Sequence, residues 1–386
     1  HFKEKRQIKM TEAVFSPGNP LDIYEMGDCL GTGAYGSVYK ALNRETHEEV
    51  AVKRMEFADT DDIVDVLREI VVLQECHHER CVRYIGSWRE SPTCIWIVME
   101  LCEFGSIVTT YELTKHGLNE EQLSFVLRCI LEGLIYLHGS KRIHRDIKAG
   151  NILVKGDGDI RIGDFGVSAT IARTVDKRKT SIGSPYWMAP EVIQNQPYDF
   201  HADIWSLGIT AIEMLDGRAP LSDLHPYRAI FQIPKNPPPK PRQPEKHSEL
   251  LLDFLTRCLQ KEQENREPAH QLIKHEFITK YKDTTSTVLN PLLQDVRVGM
   301  IRQKEERESL AKKLAAAQLS AEMNAKKKKE ESGLQKDDEE DDEDDEQDEG
   351  DESTMVFTGD EMRKNVEIGK TLYMSKEKLE KLKDPE

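Results

Sequence analysis

The sequence predicts an α+β chain with a strand-built first part, a helical second part and a charged tail. Three observations carry that prediction. Stretches rich in Val, Ile, Tyr and Trp, running Cys29 to Leu42, Glu48 to Met55 and Cys94 to Met99, read as strands. Further on, Leu123, Leu127, Ile130, Leu134 and Leu137 recur at helical spacing. After Ile278 the apolar periodicity gives way to charge.

Within the strand-rich part, Ile63 to Leu73 has helical spacing with Val66, Ile70 and Leu73 on one side. In the helical part, Asp203 to Leu215 is apolar nearly all round, which predicts a helix buried inside the domain. Pro237-Pro-Pro239 with Pro241 and Pro244 reads as a stiff extended surface loop. Pro291 to Glu331 is helix-prone and charged but keeps no long heptad, so no stable coiled coil is predicted. These features divide the chain into an N-terminal segment (1–19), a globular domain (20–279), a helix-prone linker (280–331), an acidic segment (332–358) and a C-terminal piece (359–386). Met374 to Glu386 regains a short Leu/Lys pattern.

The net charge of −16 belongs to the tail. Fourteen of the sixteen residues from Asp337 to Glu352 are acidic, and without them the chain is close to neutral. That run cannot bury a core and is expected to be disordered. A charge so confined implies neither a nucleic-acid partner nor a membrane surface. No apolar run is long enough to span a bilayer, and His1-Phe-Lys-Glu-Lys-Arg6 lacks the apolar core of a signal peptide. His1 is not an initiator methionine, so either the sequence starts inside a longer chain or translation begins at Met10. Seven cysteines, with no CxxC pair, suit reduced thiols in a cytoplasmic protein and speak against a disulfide scaffold or a zinc module. His77 and His78, near Cys76 and Cys81, read as exposed loop residues and not metal ligands.

The chemistry is concentrated in two strings, His144-Arg-Asp-Ile-Lys-Ala-Gly-Asn151 and, shortly after, Asp164-Phe-Gly166. Phosphoryl transfer between oxygens needs its charge neutralised and its acceptor hydroxyl aligned. Asp164 and Asn151 offer hard oxygen ligands for Mg2+, Lys148 can reach the transferred phosphate, and Asp146 is placed to take the hydroxyl proton. A lone DFG tripeptide means little; both strings in this order are specific. Upstream, Gly31-Thr32-Gly33-Ala34-Tyr35-Gly36-Ser37-Val38 lies between two predicted strands. A dinucleotide-binding turn needs a helix after its glycines; alone this string is an ordinary hairpin turn, and with Lys53 on the next strand it is a hairpin whose amides can lie over triphosphate oxygens. Lys53, in Ala51-Val-Lys53 on the next strand, can serve the α- and β-phosphates. Glu69 borders the apolar side of its helix, and a carboxylate turned inward needs a partner, for which Lys53 is the obvious choice.

With these strings in order, the chain resembles the eukaryotic protein kinases across roughly Tyr24 to Ile278, with further landmarks at Ala189-Pro-Glu191 and Asp203-Ile-Trp-Ser-Leu-Gly208. The resemblance implies a bilobal fold: a small β-rich lobe (20–102) with one helix, and a larger helical lobe (103–279), with ATP between them. It implies that Met99-Glu100-Leu-Cys102 is a hinge meeting adenine, and that Leu30, Val38, Ala51, Ser106 and Leu153 complete the nucleotide cleft. Asp203 would brace the catalytic loop, or act as a helix N-cap, and Glu191 would pair with Arg266. His144, Phe165 and Leu73 resemble the stacked spine of an active kinase.

Lys148, two residues after Asp146, is similar to the serine/threonine pattern, and Val167 resembles the residue that goes with threonine acceptors. Gly183-Ser-Pro-Tyr-Trp-Met-Ala-Pro-Glu191 resembles the sterile-twenty signature, and Ile143 to Val167 with Ile233-Pro-Lys-Asn-Pro-Pro-Pro239 is most similar to its Hippo branch. Two departures stand out. Ser184 replaces the usual threonine but keeps the hydroxyl, and the aspartate common near Thr109 is missing, which leaves Ser106 near the ribose.

Regulation follows the same resemblance. Thr180 matches the activating threonine of the branch, and its phosphate would pair with Arg145 after transfer by a second copy of the chain. Thr354, in Ser353-Thr-Met-Val-Phe357, resembles linker sites that dock Mob adaptors and forkhead-associated domains when phosphorylated. Expected substrates are a Mob-type adaptor and an AGC-type kinase. Met374 to Pro385 resembles the opening of a SARAH dimerisation helix, and the sequence ends before such a helix could bury anything. Two other readings stand beside this one: a pseudokinase scaffold, disfavoured because Lys53, Glu69, Asp146, Asn151 and Asp164 are all present, and a sterile-twenty kinase of another branch.

Overall fold

The computed structural model describes residues 15–33, 36–57, 61–164 and 185–333. The chain divides into two units, His1–Lys312 and Lys313–Glu386, and the fold below belongs to the first. Its N-terminal part is a five-stranded antiparallel sheet of β1 (Tyr24–Gly33), β2 (Gly36–Asn43), β3 (Glu49–Glu56), β4 (Tyr84–Ser91) and β5 (Cys94–Glu100), ordered β1-β2-β3-β5-β4. Strand alternation sorts the side chains. Val50 and Val52 of β3 pack with Trp96 and Val98 of β5 on one face. Met55, Ile95 and Ile97 point to the other face, where Val66, Leu67 and Ile70 of helix α1 (Asp61–Glu75) cover them. Lys53, two residues before Met55, shares its face and so lies on the helix side, opposite Val38 on β2 and Ile97 on β5.

The second part is helical and follows its apolar periodicity. After α2 (Ile107–Thr114), helix α3 (Glu120–Gly139) starts at a capping box: Asn119 Oδ1 accepts from Gln122 N at 2.9 Å, and Gln122 Oε1 accepts from Asn119 N at 3.1 Å. Helix α4 (His201–Asp216) is buried along nearly its whole length, as its composition predicts, and stops at Gly217, which adopts φ +71°. Its N-cap is Phe200; Asp203 sits inside the first turn, so the N-cap reading of Asp203 is corrected. Helix α5 (Pro226–Gln232) precedes the Pro237–Pro239 stretch, which forms neither helix nor strand, and α6 (Glu249–Cys258) packs its Leu251, Phe254 and Cys258 into the same core. A two-stranded ribbon, β6 (Ile152–Val154) and β7 (Ile160–Ile162), joins the helices to the sheet. Leu73 of α1 touches both apolar cores and links them.

Three strands escaped the sequence reading: β4, β6 and β7. The hairpin expected at Gly31–Val38 is the antiparallel pair β1–β2, with Gly33 opposite Gly36. Helix α7 runs Asn290–Gly333. Its first turns are not a free linker, because Leu292, Leu293 and Val296 are buried in the helical core and the Arg297 guanidinium lies 5.4 Å from the Phe104 ring centre. Among the described residues no helix is long and apolar enough to cross a membrane.

Candidate active site

The loop 144–151 is held by polar side chains of α4. Asp203, fully buried, accepts from His144 N at 2.8 Å and Arg145 N at 2.7 Å, and also from His138 Nε2 at 2.9 Å. Thr210 Oγ1 donates to Ser206 O at 2.7 Å and lies 3.3 Å from Ile147 O. Glu213 Oε2 accepts from Ala149 N at 3.0 Å and Trp187 Nε1 at 2.8 Å, while Oε1 accepts from Tyr111 OH at 3.0 Å. A rigid helix therefore fixes successive backbone atoms of the loop. The bond to Arg145 N accompanies a backbone at φ +71°, a conformation that costs a non-glycine residue energy. Burial pushes the Glu213 carboxyl above its ordinary range, against the bonds from Ala149, Trp187 and Tyr111.

Within the loop, Asp146 Oδ2 receives Lys148 Nζ at 2.8 Å and Asn151 Nδ2 at 2.7 Å, and Asn151 Nδ2 also reaches Asp146 O at 2.7 Å. Asp146, Lys148 and Asn151 thus form one cluster. Its link to Asp164 is a backbone one: Gly163 N donates to Asn151 O at 2.8 Å, and His144 Nε2 bonds Gly163 O at 3.1 Å. Asp146 N donates to His144 Nδ1 at 3.3 Å, so the ring is neutral with its proton on Nε2. Burial, which pushes the His144 pKa down, favours the same state.

Asp164 adopts φ +52° and meets Lys53 Nζ at 2.5 Å through Oδ1. Burial opposes ionisation of this carboxyl, but Lys53, with Lys148 adding to it, holds it below the ordinary range. Asp164 and Asn151 together offer a carboxylate and an amide oxygen, a hard donor set that suits a divalent cation of the Mg2+ type. Lys53 and Asp164 also line one small apolar cavity with Leu73, Val82, Ile97 and Met99. The expected partner of Lys53 was Glu69; its side chain lies outside the described ones, and the described contact of Lys53 is Asp164.

The glycine-rich string is the β1–β2 hairpin. Leu30, Gly31, Thr32 and Gly33 end β1, and Gly36, Ser37 and Val38 open β2, with Gly33 opposite Gly36 and Thr32 Oγ1 3.3 Å from Ser37 Oγ. Ala34 and Tyr35 lie outside the described residues. Gly36 has φ +138°, and a Cβ there would stand 2.0 Å from Arg54 O, so the turn requires glycine. At Gly31 no described atom lies within 4 Å of such a Cβ.

Ala51 pairs with Met99 across β3 and β5, and Met99 and Glu100 end β5. The Glu100 carboxylate accepts from Arg83 N at 2.8 Å and Arg161 Nε at 3.2 Å, so its side chain ties the hinge to β7. Cys102 is buried. Ser106 and Leu153 form an antiparallel bridge that brings the start of α2 to β6. Thr180, Ser184, Phe165 and Val167 fall in 165–184, outside the described residues, as does Thr354. Arg145, the expected partner of a Thr180 phosphate, is exposed, its guanidinium 5.8 Å from the Tyr198 ring centre.

Sequence reasoning missed Glu213, Thr210 and His138. For Glu213 a signal existed: a carboxylate in an otherwise apolar helical run must find donors. Glu191 and Arg266 pair as the resemblance implies, through Arg266 Nη1 to Oε1 at 2.8 Å and Nη2 to Oε2 at 3.2 Å, both side chains buried. A hairpin of glycines, a lysine under the sheet and a braced Asp/Lys/Asn loop therefore converge on one edge of the domain. The protein kinase domain model matches residues 24–278, two-thirds of the chain and all of these groups, and the chain belongs to that family.

Proposed function

We propose that this kinase phosphorylates serine and, preferentially, threonine on proteins, and that it works as a Hippo-like member of the sterile-twenty kinases. As a kinase it is a transferase that uses ATP and a divalent cation, and its substrates are proteins. The cation would be Mg2+, which Asn151 and Asp164 would hold, and when bound it would supply charge neutralisation on the oxygens of the phosphoryl group that ATP donates. The chain's own groups do the rest. Two donors on Oδ2 fix the Asp146 carboxylate so that it can take the proton of the acceptor hydroxyl. Lys148 stands beside it to stabilise charge on the phosphate in flight. Lys53 orients the α- and β-phosphates, with Glu69 as its helix partner, and the β1–β2 hairpin covers them. Ala51, Val38, Leu30 and Leu153 hold the adenine, and Ser106 the ribose.

The observation that carries the serine/threonine reading is Lys148 Nζ on the Asp146 carboxylate at 2.8 Å, two residues along the same loop. Activation follows phosphorylation of Thr180 by a second copy, its phosphate pairing with exposed Arg145 next to Asp146. The Hippo assignment supplies the partners: a Mob-type adaptor and an AGC-type kinase as substrates, and a phosphothreonine-binding adaptor at Thr354, all in the cytoplasm. The test is phosphoamino-acid analysis of mixed Ser, Thr and Tyr peptides after incubation with the full chain and with Thr180→Ala. Phosphothreonine should exceed phosphoserine, phosphotyrosine should be absent, and Thr180→Ala should transfer more slowly. Phosphotyrosine in the products, or unchanged turnover without Thr180, refutes the respective part.

A further inference from the structure

Strand β4 lies at an edge of the sheet, and residues that precede β1 fold back against it. Ser16 N donates to Ser87 O at 2.7 Å, which gives the open edge of β4 a partner. The approach is close, since a Cβ at Gly86 would stand 3.3 Å from Ser16 Oγ. From this anchor Phe15 turns inward. Partly buried, it packs against the cluster that Met55, Ile95 and Ile97 of the sheet form with Val66, Leu67 and Ile70 of α1.

Ser87 also ties this edge to α1. Its side chain is fully buried and, opposite Ile97, lies on the helix side of the sheet. Its hydroxyl accepts from Tyr84 OH at 2.8 Å, and Tyr84 OH accepts from Gln74 Nε2, in the last turn of α1, at 3.3 Å. Hydrogen bonds therefore run from Ser16 through β4 to the end of α1. The packing continues into the candidate active site. Leu73, Tyr84 and Met99 pack on the same cluster as Phe15, and with Ile97 they line the small cavity shared by Lys53 and Asp164.

We propose that Phe15 is a positioning residue for phosphoryl transfer: held on β4 by Ser16, its ring seats α1 against the sheet and so keeps Lys53 against Asp164. The proposal rests on the reading of Lys53 as the ligand of the α- and β-phosphates. The physical link is the wall of the cavity. Lys53 reaches Asp164 with its aliphatic stem among apolar side chains, and Leu73 of α1 is one of them. Loss of the Phe15 ring leaves a void between sheet and helix, into which α1 settles. Leu73 moves with the helix, and so does Glu69, the helix partner assigned to Lys53.

The test uses the full chain with saturating peptide substrate. Phe15→Ala should lower kcat/KM for ATP on the order of tenfold, the scale of a small displacement at a reacting centre. Amide hydrogen exchange across residues 66–75 should quicken on the order of tenfold while α4 keeps its wild-type protection. Phe15→Leu, which refills most of the volume, should bring both back to within about twofold of wild type. Ser16→Pro, which deletes the N–H given to Ser87 O, should lower kcat/KM in the same direction. A merely structural Phe15 would lower Tm and leave kcat/KM, measured well below Tm, at the wild-type value. That result overturns the proposal, as does wild-type exchange in α1 of Phe15→Ala. Lys53→Met keeps the two readings apart: wild-type ATP affinity there refutes the phosphate role of Lys53, whereas the exchange of α1 in Phe15→Ala does not depend on that role.

Discussion

Replacing Asp203 with Asn tests whether α4 positions the catalytic loop. Asp203 is fully buried, with His144 N and His138 on Oδ2 and Arg145 N on Oδ1. An amide has one oxygen, so the variant can keep the pair on Oδ2 only by turning its NH2 toward Arg145 N, donor against donor. Loss of one bond to a charged acceptor costs about 1.5–3 kcal/mol. For a domain of this size that is roughly 3 to 12 °C in Tm. Arg145, at φ +71°, then loses the bond that offsets its strain, and relaxation there displaces Asp146 next to it. A shift on the scale of an ångström lowers kcat on the order of 10- to 100-fold. Lys53 and the β1–β2 hairpin are untouched, so KM for ATP should hold. The assays are thermal unfolding and steady-state peptide phosphorylation. Adding Arg145→Gly, which adopts a positive φ freely, should return about 1 kcal/mol of the lost stability. If Asp203→Asn melts and turns over like wild type, the loop does not depend on α4.

Arg266→Met should be among the costliest single changes, because it strands the Glu191 carboxylate in a buried setting; urea unfolding should show a loss of about 3–5 kcal/mol. Glu213→Gln should be tolerated, since an amide oxygen keeps Ala149 N and Trp187 and its NH2 can donate to Tyr111 OH. The folded Glu213 carboxyl lies above its ordinary 4.5, so the wild-type contribution is present below 4.5 and lost as pH rises through the folded value. The Gln variant lacks that loss, and its stability relative to wild type should rise between pH 4.5 and 7 in denaturant titrations; a fall over that range contradicts the sign.

The clustering of the candidate site residues was legible because it is local: Asp146, Lys148 and Asn151 meet within eight residues of chain. Helix α4 was legible because burial on all sides leaves an apolar run. Strand β4 was not. Gly86 and a register shift after Tyr84 break its alternation, and its Glu90 reads as surface although it accepts from Arg54 Nε at 2.7 Å and Trp96 Nε1 at 2.7 Å. Charge hides such a strand, because only tertiary partners make the carboxylate acceptable inside a sheet. Likewise, Leu292, Leu293 and Val296 form too short a stripe to announce that α7 begins docked in the core. The described contact of Lys53 with Asp164 lay beyond inference for another reason: the residues are far apart in sequence, and pairing depends on how strand β3 faces the loop after β7.

The central claim is that the Asp146 carboxylate takes the proton of the acceptor hydroxyl. Asp146→Asn tests it most directly, because an amide oxygen in the Oδ2 position keeps the Lys148 and Asn151 donors and preserves the loop. Single-turnover transfer of labelled γ-phosphate should fall by about 10²- to 10⁴-fold while Tm and ATP binding stay at wild-type values. Transfer by Asp146→Asn at the wild-type rate, with the fold intact, would contradict the account.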